Sequence, residues 1–309
     1  MKLWSEIAAA LERDGFAALV TMKEVRGSSP REAGARMLVR RDGGFRGSIG
    51  GGALEHETLT DALRLLEQGR PTALDRQQAL GPDLGQCCGG HVRVAIEVFV
   101  RDDLVWVRPL AVAEGADGVL ETLGRPDGAG RLLRQVAIPS AEGVREIFGI
   151  RRTPVFLFGA GHVGRAVALA LGPLPFRVDW IDSRADAFPE RVPGNATPRH
   201  ASDPAALVAN VLPGTLALVM THSHPLDLAI VSAALASGAF PYVGLIGSAT
   251  KRARFTSQLR QIGLSEAQLG PLACPIGDGD VRDKSPAAIA AVAAVELLRW
   301  RERTAPHRL

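Results

Sequence analysis

The clearest chemical pattern in the sequence is a glycine-rich turn, Gly159-Ala160-Gly161-His162-Val163-Gly164. It follows an apolar run at 154–158 and opens a stretch with helical spacing, and Asp182 ends the next apolar run. Such glycines let an anion approach the amides at a helix N-terminus, while the acidic residue can accept hydrogen bonds from a ribose. The pattern predicts a dinucleotide-type fingerprint. It leaves open whether the ligand is NAD(P), another phosphorylated compound or none, and whether His162 faces it.

Two adjacent thiols form the second candidate. Cys87 and Cys88 stand between Gln86 and a pair of glycines. As thiolates they can bind a soft or transition metal or attack sulfur, strain opposes a disulfide between neighbours, and zinc needs more ligands. On the residues alone, inert buried cysteines are the better interpretation.

Two loops rich in glycine and serine flank a predicted hairpin. They cover residues 27–31 and 47–52, and the second contains Gly50, Gly51 and Gly52 ahead of a predicted helix. Successive free amides can form an anion-binding nest. Arginine can add bidentate donors for a phosphate or a pterin edge, and the candidates are Arg31, Arg36 and Arg46. Turn glycines with solvated arginines explain either loop equally well when it is taken alone.

A fourth group follows later apolar runs. His222 and His224 come directly after the run 216–220, and Asp227 is close in sequence. Two histidines and a carboxylate can form a metal site, but we favour ligand contact, because ligands of doubly wound sheets bind at the carboxyl ends of the strands. Ser248 lies in another strand-to-helix turn at that edge, beside cations that also fit a solvated helix face.

The spacing of apolar residues predicts the helices and strands that position these groups. In the first part of the chain it predicts an α/β unit, with helices at 3–11 and 53–67, strands at 16–25 and 92–100, and a hairpin around residues 42–44. Short apolar runs between 101 and 152, such as 104–107, are interpreted as hairpin strands and a connector.

From residue 153 onward, predicted strands and helices alternate. The strands are 154–158, 177–181, 216–220 and 243–246, and the helices include 203–211, 226–237, 251–261 and 286–300. We therefore predict an α/β protein with a Rossmann-like, doubly wound parallel sheet and a smaller N-terminal α/β domain. The expected divisions are a glycine-rich domain at 1–100, a hairpin and connector region at 101–152, and a Rossmann-like domain at 153–309.

Composition narrows the class of protein. The 309 residues are 46% hydrophobic and 22% charged, which excludes a disordered chain. The 36 basic and 33 acidic residues are nearly balanced, so we expect no nucleic-acid partner. Three cysteines cannot build a disulfide framework, and Glu6 and Glu12 interrupt any signal-like stretch. With no apolar run long enough for a bilayer, the expectation is a cytoplasmic protein with no membrane contact.

Taken together, these segments resemble the xanthine dehydrogenase accessory protein XdhC family. The resemblance runs nearly end to end and rests on GSSPREAGARMLV, GSIGGGALE, LGQCCGG, LFGAGHVGRA, MTHSHPLD, YVGLIGSATKRARF and the late PIG with KSPAAIAAVAAVELL. Residues 101–145 are the least diagnostic stretch.

The resemblance implies a molybdenum cofactor chaperone that is not itself an enzyme. Such a protein binds molybdopterin cofactor as cargo, protects it while a cysteine desulfurase supports its sulfuration, and inserts it into apo xanthine dehydrogenase. A molybdenum cofactor nucleotidyltransferase is a further expected partner, and a homo-oligomer is the expected assembly. It leaves open whether a nucleotide also binds the Rossmann site.

In this role the candidate residues become cofactor-binding residues, with Cys87 and Cys88 also proposed to contact the molybdenum. The cofactor-binding set is Gln86, Cys87, Cys88, Arg31, Arg36, Gly50, Gly51, Gly52, Gly159, Gly161, His162, Gly164, Asp182, His222, His224 and Ser248. Two alternatives stay open: an NAD(P)-dependent oxidoreductase that uses the Rossmann domain, and a metal hydrolase built on His222, His224 and Asp227.

Overall fold

A computed structural model describes residues 2–80, 89–114, 119–139, 141–277 and 281–304. The chain forms two compact units, Met1–Arg151 and Arg152–Leu309. Within the described ranges, no helix combines the length and apolar character that crossing a bilayer requires.

The first unit begins with two helices and five strands. They are α1 (Leu3–Asp14), β1 (Phe16–Arg26), β2 (Arg36–Val39), β3 (Phe45–Gly47), α2 (Gly52–Glu67), β4 (Thr72–Ala79) and β5 (His91–Val100). The strands form an antiparallel sheet with the order β3-β2-β1-β5-β4. Side chains of β1 alternate between the two faces of this sheet: Ala18 and Val20 pack with α2, whereas Ala17 and Leu19 pack with α1.

The same unit contains a helix and a second, three-stranded sheet. These are α3 (Leu104–Glu114), β6 (Leu120–Pro126), β7 (Leu132–Val136) and β8 (Val144–Phe148), with the strand order β7-β6-β8. The prediction of a strand at 104–107 is wrong. Val107 and Leu110, three residues apart, are buried against α1, and a four-residue apolar run cannot by itself distinguish a helix from a strand.

Buried ion pairs join the two sheets of this unit. The Arg134 guanidinium on β7 is fully buried and contacts Glu97 of β5 and Glu146 of β8, each at 2.6 Å. Arg131 pairs with Asp103 at 2.6 Å. Removing one partner of such a pair would leave a buried charge without a counter-charge. These contacts therefore fix the small sheet against the large one.

The second unit contains a six-stranded sheet. Its strands are β9 (Thr153–Phe158), β10 (Phe176–Asp182), β11 (Ala196–His200), β12 (Leu216–Val219), β13 (Val243–Leu245) and β14 (Leu272–Ala273). Their order is β11-β10-β9-β12-β13-β14, and every pair is parallel. This is the 3-2-1-4-5-6 order of Rossmann folds, and it confirms the predicted doubly wound α/β architecture.

Helices cover both faces of this sheet. Apolar residues of α4 (His162–Leu171) and α8 (Pro286–Thr304) pack in one core, and those of α5 (His224–Ser237), α6 (Ala249–Gln261) and α7 (Glu266–Leu269) pack in the other. The helix predicted at 203–211 is instead a 3-10 helix, Pro204–Asn210, in which the Asp203 carboxylate accepts the Ala205 and Ala206 amides.

Candidate functional site

The candidate site begins where the strand order reverses. The chain leaves β9 toward β10 on one side and later returns to β12 on the other side, so the turns that follow β9 and β12 are neighbours. A Cβ atom on Gly159 would collide with the carbonyl oxygen of Met220, which shows how closely the two turns approach. Ligands of open parallel sheets bind in the crevice at such a switch point.

The three glycines of the turn differ in what surrounds them. Gly159 has a φ of +113°, and a Cβ on Gly164 would collide with the Gly159 carbonyl oxygen. Both positions therefore need glycine for the fold itself. Gly161, which precedes α4, has no described atom within 4 Å of a Cβ built on it. The space beside Gly161 is open at the positive end of the helix dipole, where an anion is favoured.

Asp182 is occupied by protein donors rather than held free. Its Oδ2 accepts the Ala160 amide at 2.7 Å and Arg184 Nη2 at 3.0 Å, and its Oδ1 accepts the Arg184 amide at 2.9 Å and Nε at 3.0 Å. A carboxylate offers about four acceptor positions, and all four are filled. Burial opposes ionisation, but the hydrogen bonds from Arg184 and Ala160 outweigh it and hold the pKa of Asp182 below its ordinary value.

The histidine turn is anchored by Asp227. Asp227 is 1% exposed, and its Oδ1 accepts the Thr221 amide at 3.0 Å and hydroxyl at 2.7 Å. Lys251 Nζ donates to Asp227 Oδ2 at 2.7 Å. The carboxylate is thus engaged inside the protein. Across the described parts of the chain no three His, Cys, Asp or Glu side chains are grouped to hold a metal ion, so the metal site considered for these residues is not formed.

His162, His222 and His224 are all exposed. His222 lines a small hollow together with Asp182, Ser183 and Thr221. Arg254 Nη2 lies 3.2 Å from His224 Nδ1. The second unit therefore places imidazoles on the turns that follow β9 and β12.

Ser248 has a local structural role. It is exposed, and its hydroxyl accepts the Lys251 amide at 3.2 Å as the N-cap of α6. The structure places it at the carboxyl end of β13, on the same edge of the sheet as the glycine and histidine turns.

In the first unit, the predicted anion nest is filled by an internal carboxylate. Glu55 Oε2 accepts the Ser48 hydroxyl at 2.6 Å and the amides of Ile49 at 3.0 Å and Gly51 at 3.2 Å. Burial raises the pKa of Glu55, but these hydrogen bonds outweigh it, and the net pKa is lowered. The amides of Ile49 and Gly51 are therefore already used by the fold.

The glycines of this loop again differ. A Cβ on Gly50 would collide with the Pro30 ring, whereas no described atom lies within 4 Å of a Cβ on Gly51. Gly52 has a φ of 66° and begins α2. Gly51 is thus an open position in this loop, as Gly161 is in the turn that follows β9.

The three predicted arginines have different surroundings. Arg31 is exposed, with Nε 3.8 Å from Glu32, and Arg46 Nη1 donates to Glu6 at 3.1 Å. Arg36 lies 3.8 Å above the Phe148 ring and donates to the Ile147 carbonyl at 2.8 Å. Burial lowers the pKa of Arg36 to about 10. Arg36 is committed to packing the small sheet, which leaves Arg31 as the accessible donor next to Gly50.

Gln86, Cys87 and Cys88 lie outside the described residues. The third cysteine, Cys274, is buried at the end of β14, and burial raises the pKa of its thiol. Sequence reasoning missed the pairing of Arg184 with Asp182 and of Lys251 with Asp227. The short spacing between residues 182 and 184 is a sequence signal for the first pairing. The second pairing has no such signal, because it joins residues from separate helices.

Two family models match the chain. One, described as the XdhC Rossmann domain, matches residues 155–297, and the other, described as the XdhC and CoxI family, matches residues 10–76. A solved structure from Bacillus halodurans, described as a xanthine dehydrogenase, superposes with a TM-score of 0.77 at 20% identity, covering 99% of this chain and 98% of that one. That likeness supports the fold.

Two curated relatives are Escherichia coli K12 proteins. YqeB is 27% identical over 304 residues, which are 97% of this chain but only 46% of YqeB, so the chain spans less than half of that relative. The molybdenum cofactor insertion chaperone PaoD is 26% identical over 310 residues, covering 92% of this chain and 83% of PaoD. The matches to both units, read with the glycine turn and the strand order, show that this chain belongs to the XdhC family.

Proposed function

We propose that this chain binds the molybdenum cofactor, stabilises it while its sulfido ligand is installed, and inserts it into apo xanthine dehydrogenase. The similarity to PaoD over most of both chains supports the chaperone role. In this proposal the cofactor is cargo, and the chain supplies binding rather than catalysis. A cysteine desulfurase would provide the sulfur, and a molybdenum cofactor nucleotidyltransferase would hand over the cofactor. In this proposal the chain works in the cytoplasm and assembles as a homo-oligomer.

The observation that carries the proposal is the open space at Gly161. The other two glycines of the turn are explained by collisions with the protein, which leaves Gly161 as the one of the three that would admit a ligand. The cofactor offers a phosphate, which suits the amides at the start of α4. His162 and His222, exposed on the neighbouring turns, would donate to the same ligand.

The state of Asp182 favours this interpretation over an oxidoreductase that uses NAD. An NAD site of the usual kind needs a free acceptor on the acidic residue for the ribose 2′-hydroxyl. Asp182 has its acceptors filled by Ala160 and Arg184. A ribose would have to displace the arginine that pairs with it.

In the first unit, Gln86, Arg31 and the two adjacent thiols are the proposed contacts, and the open space beside Gly51 would let the cofactor approach the loop. Thiolates are soft ligands and suit a molybdenum centre. Gly50 and Gly52 would shape the loop, since Gly50 packs against Pro30.

The test is cofactor retention. Purified protein is incubated anaerobically with released molybdenum cofactor, free ligand is removed by gel filtration, and molybdenum and pterin are measured in the protein peak. The proposal predicts near-stoichiometric retention of both. Absence of both, together with NADH or NADPH binding in a parallel titration, would replace the proposal with the oxidoreductase alternative.

A further inference from the structure

Lys251 stands out because this chain rarely uses lysine. Only four of its 36 basic residues are lysines, at positions 2, 23, 251 and 284. Lys251 lies in the first turn of α6, where the helix dipole disfavours a cation, and its side chain is only 10% exposed. A cation this little exposed, in an unfavourable position, needs a specific compensating contact.

That contact joins two turns of the candidate site. Lys251 Nζ donates to Asp227 Oδ2 at 2.7 Å and to the Ile246 carbonyl at 2.9 Å. Asp227 in turn holds the Thr221 amide and hydroxyl, directly before His222. One ammonium group therefore connects the turn that follows β12 to the turn that follows β13.

Gly247 makes room for this connection. A Cβ on Gly247 would lie 2.8 Å from Lys251 Cδ and 3.2 Å from Cys274 Sγ. A side chain at this position would push the lysine stem aside. The compact ammonium also suits a site that offers one carboxylate oxygen and one carbonyl, whereas the planar fork of arginine suits bidentate partners.

We infer that Lys251 is a positioning residue, which through Asp227 sets the separation between the histidine turn at 221–224 and the Gly247-Ser248 turn, and so shapes the edge that receives the cofactor. This inference rests on the proposed function. The hydrogen bonds of the Lys251 ammonium go to Asp227 and Ile246 and not to a histidine, so its effect on binding is transmitted by the turns.

The experiment compares K251M with R260M in the full chain. Arg260 lies on the same helix and pairs with Glu266 at 2.6 Å, but both side chains of that pair are exposed, so its removal changes charge without disturbing a buried contact. Two readouts are collected on variants that circular dichroism shows to be fully folded: the rate at which bound molybdenum cofactor dissociates, and deuterium uptake of the two turns without cofactor.

The inference predicts that K251M releases the cofactor about tenfold faster than the parent and exchanges faster in both turns, since small misplacements of binding groups have large effects. K251R, which keeps a cation, should recover part of the loss, and R260M should match the parent. If K251M does not fold, D227N carries the same test, because it keeps an oxygen acceptor for Thr221 and loses the carboxylate that pairs with Lys251.

Parent-like dissociation from a folded K251M or D227N would overturn the inference and leave the proposed function intact. Faster exchange confined to one turn would also overturn it, because the two turns would not be coupled. Failure of the parent to retain the cofactor overturns the proposed function, and this inference with it.

Discussion

The Asp182 carboxylate accepts the Ala160 amide at 2.7 Å, so the residue that ends β10 holds the glycine turn that opens α4. Arg184 fills the remaining acceptor positions. In this chain the acidic residue at the end of the second Rossmann strand holds the glycine turn in place, and the space beside Gly161 is open.

Replacing Asp182 should therefore affect folding before it affects binding. D182N turns an acceptor into a donor that faces other donors, and we expect it to lower the free energy of unfolding by about 1–3 kcal/mol. Urea denaturation measures this, with the exposed Asp186 as a matched control in D186N. Equal stability of D182N and D186N would contradict the assigned role.

The glycine turn offers a second test, in which two similar substitutions should give opposite results. G164A places a Cβ against the Gly159 carbonyl oxygen and should lower the free energy of unfolding by about 1–3 kcal/mol. G161A meets no described atom but replaces the glycine N-cap of α4, so it should lower the free energy of unfolding by less than about 1 kcal/mol while cofactor retention falls. Undiminished retention by G161A would show that the ligand does not approach the turn there.

The loss of folding stability at acid pH should depend on Glu146. Although burial opposes ionisation, its contacts with Arg134 and Lys23 lower the pKa of Glu146 from 4.5 to about 2. A depressed pKa stabilises the folded protein above the ordinary value, and that contribution is lost as the pH falls from 4.5 toward 2. E146Q should be less stable at neutral pH by about 3–5 kcal/mol, because Arg134 loses a buried partner.

The check is the stability difference between parent and E146Q as a function of pH. This difference in the free energy of unfolding should shrink as the pH falls from 4.5 toward 2. A difference that stays constant with pH would mean that ionised Glu146 does not stabilise the first unit.

The adjacent thiols give a test of the first unit's role in binding. If Cys87 and Cys88 contact the molybdenum, serine at either position keeps a similar size but removes the soft ligand, so C87S and C88S should retain less molybdenum. Elemental analysis of the gel-filtered protein measures it. Parent-like retention by the double variant would remove the thiols from the proposed site while leaving the Gly161 opening untouched.

Sequence reasoning predicted the second unit well because its signals are local. The strand before Gly159 and the helix after it follow from one continuous pattern of glycines and apolar residues. β11 was missed because four of its five residues are exposed, so it carries no run of apolar residues. In the first unit, the strand predicted at 104–107 became part of α3, since its partners on α1 are distant in sequence.

The site was predicted in type but not in detail. Residue identities indicated anion-binding turns, but the use of Asp182, Glu55 and Asp227 as internal acceptors depends on three-dimensional contacts. Arg36 shows the same limit. It begins β2, whereas Phe148 ends β8 much later in the chain, so the sequence gives no sign that the guanidinium packs over that ring. The packing of the folded chain decides which hydrogen-bond donors stay free for a ligand.

Transfer of cargo tests the central claim most directly. Protein loaded anaerobically with sulfurated molybdenum cofactor is mixed with apo xanthine dehydrogenase, and enzyme activity is followed together with molybdenum in each separated protein. The account predicts that molybdenum moves to the enzyme and that activation exceeds that by the same amount of free cofactor. Molybdenum that stays on the chain, or activation no greater than with free cofactor, would contradict it.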